Sequence, residues 1–173
     1  GVILGPHEEL VYPSTCREKL HPLYSAALRM KLPNPCTVSF IDRVMGHQSQ
    51  NLNTAVGDFV LRRADGLFSY QLAVVIDDHL QGITHVVRGD DLLSNTARQI
   101  YLQQCLGYPS PSYMHLPIVK DEAGEKLSKQ THAQAIDIHH QQSVLNALNH
   151  SAKHLGIEAG ELSGSKTVGE WLC

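Results

Sequence analysis

Apolar positions fall into regular patterns only after residue 36. Before that, Pro6, Pro13, Pro22, Pro33 and Pro35 recur too often for a long helix, since proline lacks the N–H donor and its ring clashes with the preceding turn. Val38-Ser39-Phe40-Ile41-Asp42 alternates weakly and predicts a strand. Asp58-Phe59-Val60-Leu61-Arg62-Arg63 predicts a second, stopped by the turn dipeptide Asp65-Gly66. The period then changes. Leu72, Val75, Ile76, His79 and Leu80 share one helical face, with Gly82 placed to end the helix. Ile83 to Gly89 reads as a buried strand, and a helix follows from a cap at Ser94 or Asn95 to Gly107. Met114 to Val119 is another short strand. Strand, helix, strand, helix, strand is the order of an α/β nucleotide-binding half-domain with a parallel sheet. Ligands of such sheets sit at the carboxyl ends of strands, where Arg88 and the residues from Lys120 onward fall. The tail, with Val144, Leu148 and Leu155, reads as helical, and Thr167-x-x-Glu170 resembles a capping box.

Composition narrows the class without naming a function. The chain has 173 residues, 42% of them hydrophobic and 18% charged, with a net charge of −3, as in ordinary globular proteins. No apolar run approaches the roughly 20 residues that cross a bilayer, so no membrane partner is expected. The N-terminus lacks the basic flank and apolar stretch of a signal peptide, and a cytoplasmic home is the default. Cys16, Cys36, Cys105 and Cys173 are scattered, without a Cys-x-x-Cys pair or a disulfide framework. A pI near 6.4 argues against broad nucleic-acid coating but leaves room for a local basic grip on a nucleic-acid substrate.

Lys126-Leu127-Ser128-Lys129-Gln130 carries the first chemistry. Two lysines flank a serine just after a turn containing Gly124, and a loop of this kind can bring two ammonium groups and a hydroxyl to a triphosphate. Alone, Lys-x-x-Lys is an ordinary solvated turn. Asp77 and Asp78 invite a metal, but adjacent helical residues point in different directions, so a bracing role is expected. The eleven histidines show no HExxH-like spacing, and His139, His140, His150 and His154 read as tail surface.

A wider series changes the weight of that loop. Arg63-Ala64-Asp65-Gly66-Leu67-Phe68-Ser69-Tyr70 leads into Gln71 to His79. Gly82-Ile83-Thr84-His85-Val86-Val87-Arg88-Gly89-Asp90-Asp91-Leu92-Leu93 follows, then Thr96-Ala97-Arg98-Gln99 and His115-Leu116-Pro117. Over about residues 38–132 this ordered series resembles the catalytic domain of glutamyl- and glutaminyl-type class I tRNA synthetases. The resemblance makes Lys126 to Gln130 the family's "KMSKS" loop. It implies that Lys129 contacts ATP with Lys126 and Ser128 as helpers, so that Lys126 and Lys129 serve catalysis. It implies that Tyr70 contacts a glutamate substrate and that Arg88 holds the glutamate side-chain carboxylate. A planar guanidinium suits a bidentate grip on a carboxylate, and a phenol can add one hydrogen bond. His115 is placed by family position near the ATP site.

The resemblance further implies ATP and Mg²⁺, with L-glutamate and tRNA(Asp) as partners of a monomer. Val11 to Arg17 is similar to the closing half of a small zinc module in one branch of the family, which makes Tyr12 and Cys16 zinc positions. The Cys-x-Cys half of that module is absent here, and a structural Zn²⁺ needs four ligands. The expected architecture is α/β: residues 1–36 as the end of a zinc-binding-like module, 37–132 as the distal half of a Rossmann-type synthetase domain, and 133–173 as a helical tail. The strand and "HIGH"-like helix that open the family's nucleotide fold are not found, so these residues are expected to hold part of an active site. The short stretch after Gln130 and the Lys-Leu-Ser-Lys-Gln spelling resemble a truncated branch that glutamylates queuosine at the wobble position of tRNA(Asp). Two alternatives stand beside it: a fragment of a discriminating glutamyl-tRNA synthetase charging the tRNA 3′ end, and a non-catalytic tRNA- or protein-binding half-domain.

Overall fold

Among the described residues, the proline-rich start of the chain holds two-residue strands only. The computed structural model describes residues 3–6, 10–18, 26–120, 124–127 and 135–157. Strand β1 (Ile3–Leu4) pairs antiparallel with β2 (Leu10–Val11). Strand β3 (Leu28–Arg29) waits for a partner further along the chain.

The weak alternation from Val38 becomes β4 (Thr37–Asp42), with Val38 and Asp42 buried. The chain then turns back at once into β5 (Gly46–Asn51), in full antiparallel register with β4 from Thr37↔Asn51 to Asp42↔Gly46. Asp42 builds this turn: its Oδ1 accepts from the N–H groups of Val44 (3.0 Å) and Met45 (2.9 Å), and Gly46 supplies the left-handed φ of 69°. The pattern of apolar residues does not reveal β5, because Gly46 to Asn51 contains no apolar side chain to alternate.

Asn51 caps the single-turn helix α1 (Leu52–Ala55), accepting from Asn53 N and Thr54 N. Leu52 and Ala55 lie in the core with Leu32, Val56 and Phe59. The expected second strand is β6 (Val60–Arg62), and it pairs antiparallel with β3 in a ladder of its own, outside the main sheet. Ser69 caps α2 (Tyr70–Leu80), and the chain leaves that helix at Gly82 with φ 67°, as the glycine predicted. Strand β7 (His85–Gly89) follows, then a 3-10 turn (Asp90–Leu92), α3 (Leu93–Leu106) ending on left-handed Gly107, and β8 (Ser112–Leu116).

The main sheet has the order β5-β4-β8-β7, parallel between β4 and β8 and antiparallel between β4 and β5. It is therefore a mixed sheet rather than the parallel one expected. The polar hairpin strand β5 is what makes it so.

Two expectations about burial are met only in part. Strand β7 is not buried: it lies at the sheet edge, and Val86 packs on the core while Val87 stays 59% exposed. Helix α2 buries the first part of its apolar stripe only: Val75 is buried and Leu72 and Ile76 are half-buried, while His79 is exposed and Leu80 is 75% exposed. Val74 and Val75 pack on the apolar core, and Gln71 and Asp78 are half-buried beside them.

The chain divides into two compact units, residues 1–115 and 116–173. In the second, Lys120 and Lys126 form an isolated antiparallel bridge, Gly124 has φ 83°, and Leu127 N–H donates to Val119 O (2.9 Å). Helix α4 (Gln141–His154) buries Leu145 and Ala152, and His154 Nε2 donates to Pro117 O at 2.8 Å. The segment holding Thr167 and Glu170 lies outside the described residues. Among the described residues no helix is long and apolar enough to cross a membrane.

Candidate active site

Arg88 lies near the carboxyl end of β7, and its guanidinium is held on two of its three nitrogens. Nε donates to His115 Nε2 at 3.0 Å; Nη2 donates to Thr96 Oγ1 and to Gln99 Oε1, each at 2.8 Å. Thr96 and Gln99 come from one face of α3 and are 0% and 2% exposed. Residues three apart on a helix share a face, so a single helix presents both acceptors to the arginine. Among the described residues, Nη1 has no partner.

The network beyond Arg88 follows from its being a donor only. A guanidinium has no lone pair to offer, so Gln99 must present its carbonyl oxygen. Gln99 Nε2 then donates to Gln71 Oε1 (2.8 Å), and Gln71 Nε2 donates to Asn95 Oδ1 (2.7 Å). These contacts explain why Gln71 points inward from α2.

The same logic assigns the histidine. Arg88 Nε can only donate, so His115 Nε2 carries a lone pair and the ring proton sits on Nδ1. That nitrogen lies 2.7 Å from Asp42 Oδ2, both side chains being 0% exposed. Asp42 also accepts from the backbone N–H of His115, at 3.1 and 3.2 Å. Burial by itself would raise the Asp42 carboxyl. The hydrogen bonds from Met45, the His115 ring, Val44 and the His115 backbone outweigh it and hold the group below the ordinary carboxylate range. His115, expected near the ATP site, is thus a closed interior group joining β4 to Arg88.

Asp78, on α2, feels the charge of Arg88. Burial pushes its carboxyl up; Arg88 opposes the rise and Asp77 adds to it. Tyr113 stands beneath the guanidinium, whose carbon is 5.5 Å from its ring centroid, a cation–π arrangement. Burial pushes the Tyr113 phenol up, with Gln103 and Arg88 opposing. Tyr70, the first residue of α2, is 53% exposed and close enough to act electrostatically on Tyr113. Arg88, Asp78 and Tyr70 all act electrostatically on Tyr113.

A cleft of about 560 Å³ lies between the β4–β5 hairpin and the start of α3, lined in part by Phe40, Gln50, Asp90, Asp91 and Ser94. Arg88 is not part of its described lining.

The other candidates are less complete. Lys126 is bridged to Lys120 in the second unit, while Ser128 and Lys129 lie outside the described residues. Tyr12 Oη accepts from Cys16 N–H at 2.8 Å, and the Arg29 guanidinium stacks 4.2 Å from the Tyr12 ring. Among the described residues no three His, Cys, Asp or Glu side chains are gathered to hold a metal ion. Tyr12 and Cys16 as they stand do not make a tetrahedral zinc site.

A mixed sheet with helices packed on it, and an arginine held near a strand end with one nitrogen to spare, define an α/β domain suited to an acidic ligand. Residues 10–152 match the family described as tRNA synthetases class I (E and Q), catalytic domain, and the chain belongs to that family. It is 52% identical over 168 residues to the glutamyl-Q tRNA(Asp) synthetase of Cupriavidus metallidurans, a match over 96% of this chain and 52% of the relative. It is 57% identical over 155 residues to the protein of that name from Burkholderia cenocepacia, covering 88% of this chain and 51% of the relative. The chain thus spans about half the length of the curated relatives it matches. Among solved structures, a glutamate tRNA ligase from Elizabethkingia meningosepticum, in complex with its amino acid, superposes with a TM-score of 0.54 at 38% identity. That match covers 60% of this chain and 21% of the ligase.

The strand pattern points to Arg88 and the family resemblance to Tyr70, but neither marks Asp42, Gln71, Thr96 or Gln99 as members of the hydrogen-bond network around the arginine. A signal was present: Thr96, Gln99 and Gln103 place polar side chains at helical spacing on the face of α3 that also carries Ile100. A helix that buries such a row has a polar partner inside.

Proposed function

We propose that the protein containing this chain activates L-glutamate with ATP and transfers it to queuosine at the wobble position of tRNA(Asp). The observation that supports this most directly is the Arg88 guanidinium, held on Nε and Nη2 by His115, Thr96 and Gln99 with Nη1 left over. A glutamate side-chain carboxylate is the complementary ligand, and Tyr70 adds a hydroxyl. The grip differs from the bidentate one expected of arginine, because both hydrogens of Nη2 are already engaged by the protein. Nη1 and the phenol share the carboxylate instead.

In the first step the glutamate α-carboxylate attacks the α-phosphate of ATP, giving glutamyl-adenylate and pyrophosphate. Lys126, Ser128 and Lys129 stabilise the charge on the leaving pyrophosphate, a role in which Mg²⁺ would assist when bound. A hydroxyl of the queuosine cyclopentene-diol then attacks the glutamyl carbonyl, forming an ester and releasing AMP. A single modified base in a loop can be splayed into a pocket, which suits a chain of modest net charge. The names of the relatives support the choice of queuosine over the tRNA 3′ end. Tyr12 and Cys16 would supply two of four zinc donors, so a zinc module requires two more.

The test uses a version of the chain extended to the full length of its curated relatives. Labelled glutamate, ATP and tRNA(Asp) are supplied, with queuosine or guanosine at the wobble position. Labelling of the queuosine-bearing tRNA alone is expected. Equal labelling of both would favour acylation of the 3′ end, and absence of ATP–pyrophosphate exchange would favour a binding module.

A further inference from the structure

The Asp42–His115 pair is buried, polar and not needed for any contact with substrate. Two fully enclosed titratable side chains are costly to keep unless each is satisfied, and here each is. Asp42 takes four donors: the N–H groups of Val44, Met45 and His115 and the His115 ring. The ring in turn receives Arg88 Nε. The chain of contacts runs from the β4–β5 turn through β8 to the end of β7, all within residues 1–115.

We propose that Asp42 and His115 are positioning residues for Arg88. The carboxylate holds the ring in its Nδ1–H form, and the Nε2 lone pair fixes the guanidinium so that Nη1 is the nitrogen left for a substrate carboxylate. This rests on the reading of Arg88 as the glutamate-binding cation. Thr96 and Gln99 alone hold only the Nη2 corner, about which the guanidinium could still swing. The bond to Nε supplies a second point, and two points fix a planar group in its plane. Placement matters because a charged hydrogen bond weakens steeply as its angle departs from linear.

Asp42→Asn isolates the effect. The amide oxygen can still serve Val44 and Met45, but the amide nitrogen then faces His115 Nδ1. The ring proton must move to Nε2, where it meets Arg88 Nε–H, donor against donor. Exchange of one carboxylate for its amide can in this way trap the wrong histidine tautomer, as in serine-protease triads.

Two measurements decide the proposal. In the 173-residue chain, ¹⁵N shifts of the His115 ring tell the protonated nitrogen from the one with a lone pair. A proton on Nδ1 is expected, and a proton on Nε2 in the unsubstituted chain overturns the proposal without any variant. In the full-length version, Asp42→Asn is expected to raise the glutamate KM by about tenfold or more while the ATP KM stays within about twofold. A general loss of structure would move both constants. An unchanged glutamate KM in Asp42→Asn, with Arg88→Lys raising it, overturns the positioning role and leaves Arg88 as the glutamate cation. If Arg88→Lys also leaves that KM unchanged, the reading of Arg88 falls and the proposal falls with it.

Discussion

Arg88→Met tests the central network through stability alone. Methionine fills much of the volume but removes the donors to His115 Nε2, Thr96 Oγ1 and Gln99 Oε1. Not all three acceptors are stranded. Thr96 Oγ1 lies 3.2 Å from His115 Nε2 and can turn its own proton there, so the histidine is recovered. Gln99 Oε1, on a side chain 2% exposed, has no such substitute. One buried acceptor left unmade costs about 1–3 kcal/mol, and the charge-assisted bonds lost to Arg88 add to it. Release of a half-buried cation to the smaller desolvation cost of a thioether offsets part of this. The expected net loss is about 2–4 kcal/mol, read as a fall in the urea midpoint at constant m, followed by circular dichroism. For a unit of this size that corresponds to a Tm lower by roughly 10 °C or more. Adding Gln99→Leu to Arg88→Met should restore about 1 kcal/mol, since it removes the stranded Gln99 oxygen, while Gln71 Oε1, which loses its donor, is only half-buried and can reach water. A loss below about 0.5 kcal/mol in the single variant, or strict additivity in the double, would refute the network as described.

Three further outcomes follow from the same contacts. The Asp42 carboxyl is held below its unfolded value of about 3.9, so its contribution is complete above that pH and is lost as pH falls through the folded value; the stability gap between the unsubstituted chain and Asp42→Asn should therefore narrow below about pH 4 in urea titrations, and a gap that widens there would contradict the hydrogen-bonded carboxylate. Gly57 has φ 64°, and a Cβ there would stand 3.0 Å from the Tyr12 carbonyl oxygen, so Gly57→Ala should cost about 1–2 kcal/mol or more in the same assay, while Gly66→Ala, with open space around it, should cost less. In the full-length version, Lys129→Ala should slow ATP–pyrophosphate exchange by about 10²–10³-fold with the glutamate KM little changed, as for a group that meets charge developing in the transition state.

Much of the fold and part of the site can be read along the chain. Helix ends at Gly82 and Gly107 follow from the glycines themselves, because a left-handed residue is needed there whatever the surroundings. Arg88 stands out by its place at a strand end, and the motif series from Arg63 to Gln130 marks the family. Other features depend on partners distant in sequence. The pairing of β6 with β3 is invisible locally, since Val60 to Arg62 would pattern alike in either sheet. Strand β5 has no apolar period at all and is a strand because the Asp42 turn lays it against β4. The partial burial of Gln71 and Asp78 on α2 is not written in the apolar stripe; Gln71 is drawn in by its hydrogen bonds to Gln99 and Asn95 on α3.

What the sequence by itself determined is therefore the order of elements, their glycine-marked ends, the family and the cation at the end of β7. Tertiary structure decided what that cation can do. Hydrogen bonds are short-ranged and directional, and Asp42, Arg88, Thr96, Gln99 and His115 come from β4, β7, α3 and β8. Only when those elements are packed do a carboxylate and a ring fix one edge of the guanidinium, with Nη1 unbonded among the described residues.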